Sequence, residues 1–248
     1  MVGVLALAGC RQGDVVDLLP EGADRDVVRD ARACEAGDAQ ACNNVAESLE
    51  SGRDATPDPT AALALYRRAC DGEAWLACVN AARMLSAEAS TASYDEARAL
   101  SARACDAGFP VACASLGRLW AGDDAAAAAA AFRQACDGLV FDACAELGLR
   151  HQRGTGVDVD PERALSLLVR ACGGGSMRGC ALQADVLVET DPPLALVLYR
   201  QACIGGYAAG CVTVAEWVES GKAADDIGSA AAYRRQACAL GLDEECSR

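Results

Sequence analysis

The chain has 248 residues, of which 52% are hydrophobic and 23% are charged, so it can bury a core and is not a disordered chain. Only 4% of the residues are aromatic and alanine is the main apolar residue, which disfavours all-β folds. No apolar run reaches the roughly 18 to 20 residues of a membrane-spanning helix. The formal net charge of -14 opposes binding to nucleic acid.

The chain begins with an apolar segment that ends in Leu7-Ala8-Gly9-Cys10, which resembles the processing box of bacterial lipoproteins. This pattern predicts a lipid on Cys10 that tethers the chain to a membrane surface, the only membrane contact we expect. A plain apolar N-terminus is the alternative, because no Lys or Arg precedes the short apolar run. We assign residues 1–22 to this terminus and a flexible linker, and residues 23–248 to one repeat array without a domain boundary.

Fourteen of the 15 cysteines form seven pairs, and seven residues separate the two members of each pair. Successive pairs begin 31 to 36 residues apart, which is the period of a two-helix solenoid. The pairs are Cys34 with Cys42, Cys70 with Cys78, Cys105 with Cys113, Cys136 with Cys144, Cys172 with Cys180, Cys203 with Cys211, and Cys238 with Cys246.

The spacing within a pair constrains its geometry. One continuous helix would separate the two Cα atoms by about 12 Å, beyond the roughly 7 Å that a disulfide tolerates. Segments such as Asp71-Gly72-Glu73 and Asp106-Ala107-Gly108 place Gly two or three positions after the first cysteine, where Gly suits a left-handed helix cap. We therefore expect a disulfide between the end of one helix and the start of the next.

Two other roles for these cysteines stay open: reduced cysteines in a helical core, and zinc sites. The chain has no C-x-x-C and one histidine, His151, which disfavours zinc. Disulfides in this number imply an oxidising compartment. We therefore predict a periplasmic or outer-membrane-attached lipoprotein, or a secreted protein.

A first helix is expected over 23–34, followed by six helix pairs. The first helix of each pair carries the second cysteine, and the second helix ends in Ala-Cys. Asp58-Pro59, Asp160-Pro161 and Asp191-Pro192 predict the starts of second helices, because each places a capping carboxylate before a proline in the first turn. The expected fold class is all-α, with about six two-helix repeats of 31–36 residues.

These residues resemble the Sel1-like repeat family, in its disulfide-rich Hcp branch, which is related to tetratricopeptide repeats. The resemblance spans Cys34 to Cys246 and includes Leu116-Gly117, Leu147-Gly148 and Gly154-Thr155-Gly156-Val157. It implies a right-handed α/α solenoid whose concave face binds proteins or peptides, in the role of a scaffold or adaptor. It also implies the alternative of a β-lactamase or penicillin-binding activity, a label that some bacterial members carry.

The residues themselves do not favour catalysis. The only lysine lies in Ser220-Gly221-Lys222, so Ser-x-x-Lys and Lys-Thr-Gly are both absent from the sequence. No H-E-x-x-H or similar metal-ligand spacing occurs. Seven equivalent cysteine pairs are more typical of a framework than of one redox centre. We expect a protein without catalytic activity, cofactor or metal, in which His151 is a packing residue.

Candidate binding residues lie two and five positions after the second cysteine, where polar side chains vary between repeats. This variation is typical of a recognition face and equally of any solvated face. The acidic excess suggests a cationic protein or peptide partner, and we expect a monomer. The candidates are Asn44, Glu47, Asn80, Arg83, Ser115, Arg118, Glu146, Asp185, Thr213 and Glu216.

Overall fold

The computed structural model describes residues 15–88, 90–223 and 228–246, and in these ranges it is helical without a strand. Short 3-10 turns occupy Val16–Leu18 and Asp243–Glu245. Cys10 lies outside the described residues. The α-helices are α1 Arg25–Glu35, α2 Ala39–Ser51, α3 Pro59–Asp71, α4 Trp75–Ala87, α5 Thr91–Asp106, α6 Pro110–Trp120, α7 Ala125–Asp137, α8 Phe141–Arg153, α9 Pro161–Gly173, α10 Met177–Leu187, α11 Pro192–Ile204, α12 Ala208–Glu219 and α13 Ala230–Ala239.

The helices belong to two compact units, divided between Leu119 and Trp120. Consecutive helices pack against each other from α1 through α5 in the first unit and from α7 through α13 in the second unit. This consecutive pairing confirms the predicted all-α repeat fold. Among the described helices, none combines the length and the apolar character that crossing a membrane requires.

The predicted starts of the second helices are confirmed by their caps. The side chain of Asp58 accepts a hydrogen bond from the Ala61 N–H at 3.0 Å. In the same way, Asp160 accepts from the Arg163 N–H and Asp191 accepts from the Leu194 N–H. Asp124 caps α7 likewise, through the N–H groups of Ala126 and Ala127. Each carboxylate satisfies donors that a helix N-terminus otherwise leaves free.

All seven predicted cysteine pairs are disulfides, with Cα atoms 4.4 to 4.9 Å apart. The turn inside each pair is a Schellman motif. In the first copy, the Gly37 N–H donates to the Cys34 carbonyl at 2.9 Å and the Asp38 N–H donates to the Ala33 carbonyl at 2.9 Å. Asp38 is also the N-cap of α2, so one residue ends a helix and begins the next.

The left-handed residue of this turn is always the third after the first cysteine. In five copies it is Gly, but Glu73 and Leu139 occupy it at φ 67° and 66°. The expectation that Gly72 forms the left-handed cap is therefore wrong, since its φ is -87°. Gly72 is needed for close packing instead, because a Cβ there would lie 2.7 Å from the Cβ of Ala39.

The core of each unit lies between the first and second helices. Tyr66 and Phe132, each four residues before a first cysteine, are buried at 0% and 1% exposure. In the first six pairs, Ala or Gly lies four positions after the second cysteine, and a Cβ on Gly148 would lie 2.9 Å from Cγ of Leu168. This packing leaves the polar positions of the first helices for the outer surface or for bonds to neighbouring helices.

Candidate binding faces

Polar side chains on the first helices α2 and α4 form a connected row in the first unit. The Asn80 Nδ2 group lies 3.3 Å from Oδ1 of Asn43 and 3.5 Å from Oε1 of Glu47. Asn43 also donates to Glu47 at 2.8 Å within α2. The structure therefore brings the predicted residues Glu47 and Asn80 together across neighbouring repeats.

The Glu50 carboxylate extends this row. Arg83 Nη2 donates to both Glu50 oxygens, at 2.7 and 2.6 Å, and the Tyr66 hydroxyl donates to Glu50 at 3.0 Å. Burial of Tyr66, together with its hydrogen bond to Glu50, raises the tyrosine pKa well above its usual value. A neutral tyrosine and an arginine of the next repeat thus fix the position of one surface carboxylate.

A groove of about 400 Å³ lies beside these charges. Leu63 and Met84 contribute apolar surface to it, and Arg67, Arg83 and Glu88 contribute polar surface. Arg67 is held by two bonds to Glu96, of 2.6 and 2.7 Å, and this hydrogen bonding raises the pKa of Arg67. A groove with apolar and charged lining suits an extended peptide better than a small apolar ligand.

The other predicted residues of the first unit are dispersed. Asn44 donates to Asp30 of α1 at 2.9 Å, and Arg118 is exposed on α6. Ser115 is buried and its hydroxyl accepts a hydrogen bond from Ser101 of α5 at 3.3 Å, so it is a packing residue. Glu47, Asn80 and Arg83 are therefore the part of the predicted set that forms a surface in this unit.

In the second unit the predicted residues make a mainly acidic surface. Arg178 of α10 donates to Glu146 of α8, and the Tyr199 hydroxyl donates to Asp185 at 2.6 Å. Burial and this hydrogen bond raise the pKa of Tyr199 above its usual value. Thr213 bonds only to its own helix, through the Ala209 carbonyl.

The position eight residues after the second cysteine was missed by sequence reasoning. In the first unit this position is Glu50, which accepts a hydrogen bond from Tyr66. In the second unit the equivalent residue is Glu219, which accepts from Arg234. Tyr66 and Arg234 both lie four residues before a first cysteine. An arginine near a helix C-terminus, as in Tyr233-Arg234-Arg235, is normally solvated, but Arg234 is only 8% exposed. Its hydrogen bonds to Glu219 and Glu245 raise its pKa. Comparing the repeats in register is the signal that would have revealed this pairing.

His151 has a structural environment that fits the predicted packing role. It is 6% exposed, and Nδ1 lies 3.2 Å from the Asp158 carbonyl oxygen, which ties the loop after α8 to that helix. Among the described residues, no three or more His, Cys, Asp and Glu side chains form a group that could hold a metal ion.

A scan against protein families matches the Sel1 repeat at residues 39–73, 141–176 and 179–207. Among curated proteins, no sequence matches the chain significantly.

Solved structures show the same fold. One is a protective antigen of uropathogenic Escherichia coli strains with an SLR fold, at a TM-score of 0.68 and 17% identity, covering 88% of this chain and 50% of that protein. A Sel1 repeat protein from Oxalobacter formigenes has a TM-score of 0.68 and 21% identity, covering 76% of this chain and 81% of that one. A putative Sel1 repeat protein from Klebsiella pneumoniae has a TM-score of 0.51 and 20% identity, with coverages of 76% and 97%. This chain thus spans about half the length of the Escherichia coli protein.

Proposed function

Because the chain is a Sel1-repeat protein of the disulfide-rich kind, we propose that it is a non-catalytic scaffold that binds a protein or peptide. The observation that carries this proposal is the row of Glu47, Asn80 and Arg83, where side chains of neighbouring repeats are held on one surface. Fixed charges on rigid helices lose little conformational entropy when a partner binds. The groove beside Arg83 offers room for one peptide segment.

The partner is proposed to carry positive charge. The net charge is -14, and three of the four candidate residues in the second unit are acidic. Glu216 is exposed and its carboxylate has no hydrogen bond or ion pair within the described residues, so it is free to pair with an incoming Lys or Arg. Such contacts speed association and weaken with salt.

The proposed location is the bacterial cell envelope. Seven disulfides indicate an oxidising compartment outside the cytoplasm. A lipid on Cys10 would hold the scaffold at a membrane surface. Labelling cells with an alkyne fatty acid tests this anchor, since the label must appear on the protein and be lost in Cys10→Ser.

Affinity capture with the tagged, oxidised chain from an envelope extract tests the scaffold proposal. We expect a stoichiometric protein that is released by salt and retained several-fold less by Glu47→Gln/Glu216→Gln. Glu162→Gln is the matched control, because this exposed glutamate lies on a second helix, α9. Retention that is equal at low and high salt would contradict a cationic partner, and turnover of a β-lactam would contradict a non-catalytic role.

A further inference from the structure

The outward surface of the second helices in the second unit differs from that of the first unit. In the first unit, Arg67 lies three residues before its first cysteine and Glu96 lies nine residues before the next, and they pair at 2.6 Å. These two register positions therefore face each other on consecutive second helices. In the second unit, the residues three and nine positions before each first cysteine are therefore neighbours on consecutive second helices, α7, α9, α11 and α13.

The equivalent side chains do not form ion pairs. Between α7 and α9 they are Arg133 and Arg163, so two positive charges replace the Arg–Glu pair. Between α9 and α11 they are Val169 and Leu194, which are 49% and 41% exposed. Like charges and exposed aliphatic groups at neighbouring positions leave this surface without internal partners.

Helix α11 extends the apolar part of this surface. Val197 and Ile204 are 56% and 74% exposed, and with Arg200 and Gln201 they line a shallow groove of about 310 Å³. The Nε atom of Arg200 is buried and has no hydrogen-bond acceptor within the described residues. Arg200 thus brings a positive charge to this groove with no carboxylate at salt-bridge distance among the described residues, which favours an anionic group that arrives from outside.

The charge on this surface is positive although the chain is acidic. Within the described part of the chain, Arg133, Arg163, Arg200 and Arg235 have no carboxylate at salt-bridge distance. Helices α11 and α13 contain no acidic residue. On the other two helices, Asp137 of α7 lies 3.9 Å from Arg170, and Glu162 lies in the first turn of α9. We name this surface the arginine–aliphatic face: Arg133, Arg163, Val169, Leu194, Val197, Arg200, Ile204 and Arg235.

We infer that the arginine–aliphatic face docks an acidic amphipathic segment of a partner protein. Aliphatic side chains of the segment cover Val169, Leu194, Val197 and Ile204, and its carboxylates bond the four arginines. A carboxylate is the group that fits the fork of a guanidinium such as Arg200. A bilayer is a poorer occupant, because an anionic membrane surface extends beyond this positive face and also meets the acidic remainder of a chain of net charge -14, whereas a short segment contacts the face alone. The scaffold then bridges a cationic partner on its first helices, as proposed above, and an acidic partner on its second helices.

Fluorescence anisotropy with the full chain and a synthetic helical peptide tests this site. The peptide carries Leu along one stripe and Glu on either side of it, and matched peptides carry Gln or Lys in place of every Glu. We expect saturable binding of the Glu peptide, a fall in affinity of about fivefold in Arg200→Gln, and a similar fall in Val197→Ser/Ile204→Ser. Arg53→Gln is the control, since Arg53 is an exposed arginine of the first unit that also lacks an ion pair within the described residues.

The same measurements can overturn the inference. Equal binding of the Gln peptide, an equal loss in Arg53→Gln, or no saturable binding up to about 1 mM would each do so. Circular dichroism must show unchanged helix content in the variants, so that a loss of affinity cannot come from unfolding. Sedimentation with anionic phosphatidylglycerol vesicles, and sedimentation of the chain alone, check the competing occupants: binding or self-association that Arg200→Gln abolishes would assign the face to a membrane or to a second copy instead.

Discussion

Two glycines in one turn allow the backbone of the disulfide turn to be tested without changing any contact. Gly173 ends α9, and Gly175 follows two residues later at φ 96°. A Cβ added at either position would have no atom within 4 Å. Gly173→Ala and Gly175→Ala therefore differ only in backbone conformation, within the same turn and beside the same disulfide.

The two substitutions are expected to change stability in opposite directions. An L-residue at positive φ costs roughly 1 to 2 kcal/mol, and the reduced entropy of the unfolded chain offsets about 0.5 kcal/mol of this. Gly175→Ala should therefore lower the free energy of unfolding by about 1 kcal/mol. Gly173→Ala should raise it by about 0.5 kcal/mol, because alanine favours the helical conformation.

Guanidinium unfolding of the oxidised protein, followed by circular dichroism, measures both changes as shifts in midpoint at constant slope. Leu139→Gly adds the reverse test, since Leu139 holds the same turn position at φ 66° with a side chain that is 63% exposed. It should gain about 1 kcal/mol, whereas Leu139→Ala keeps the positive φ and should not. Midpoint shifts of the same sign for the two alanine variants would refute this account of the turn.

Three further predictions concern ionisation, pairing and repeat contacts. Because the pKa of Tyr66 is raised in the folded protein, the unfolded chain loses the hydroxyl proton first as the pH rises. The free energy of unfolding is therefore retained below about pH 10 and falls above it by up to about 1.4 kcal/mol per pH unit. Unfolding of Tyr66→Phe measured against pH should lack this part of the slope, and an unchanged slope would contradict the prediction. Trypsin should release residues 134–150 of the non-reduced protein as one peptide, about 2 Da lighter than after reduction because it contains the Cys136–Cys144 bridge; a cross-linked pair of peptides would exclude this pairing. Arg170 donates to the Cys136 carbonyl at 2.9 Å, so Arg170→Met should lower the free energy of unfolding by about 1 kcal/mol. Arg163→Met is the control, because it removes no such bond. An equal loss of stability in the two variants would argue against this role for Arg170.

Features that depend on near neighbours in the sequence could be predicted. The seven disulfides join residues eight apart, and the caps of Asp58, Asp160 and Asp191 act three residues ahead. Short-range geometry restricts such pairs to few arrangements, so spacing and residue type are enough. The repeat period then fixes the order of the helices.

Features that depend on neighbouring repeats could not be predicted in the same way. Arg83 bonds Glu50 from 33 residues away, and the burial of Ser115 depends on how α6 packs against Ser101. Polar residues at equivalent positions thus differ in exposure because the adjacent helix differs. Leu139 at positive φ was missed for another reason: the turn is held by the Schellman bonds, which tolerate a residue other than Gly.

The disulfides also bear on the order in which the chain can oxidise. Each native pair closes over eight residues, whereas Cys42 and the next cysteine, Cys70, are 28 apart. In the unfolded chain, the entropy of loop closure favours the shorter loop by about sixfold. A chain that enters an oxidising compartment from its N-terminus exposes both members of a pair before the first cysteine of the next pair. Correct pairing can therefore proceed sequentially, repeat by repeat, with little need for an isomerase.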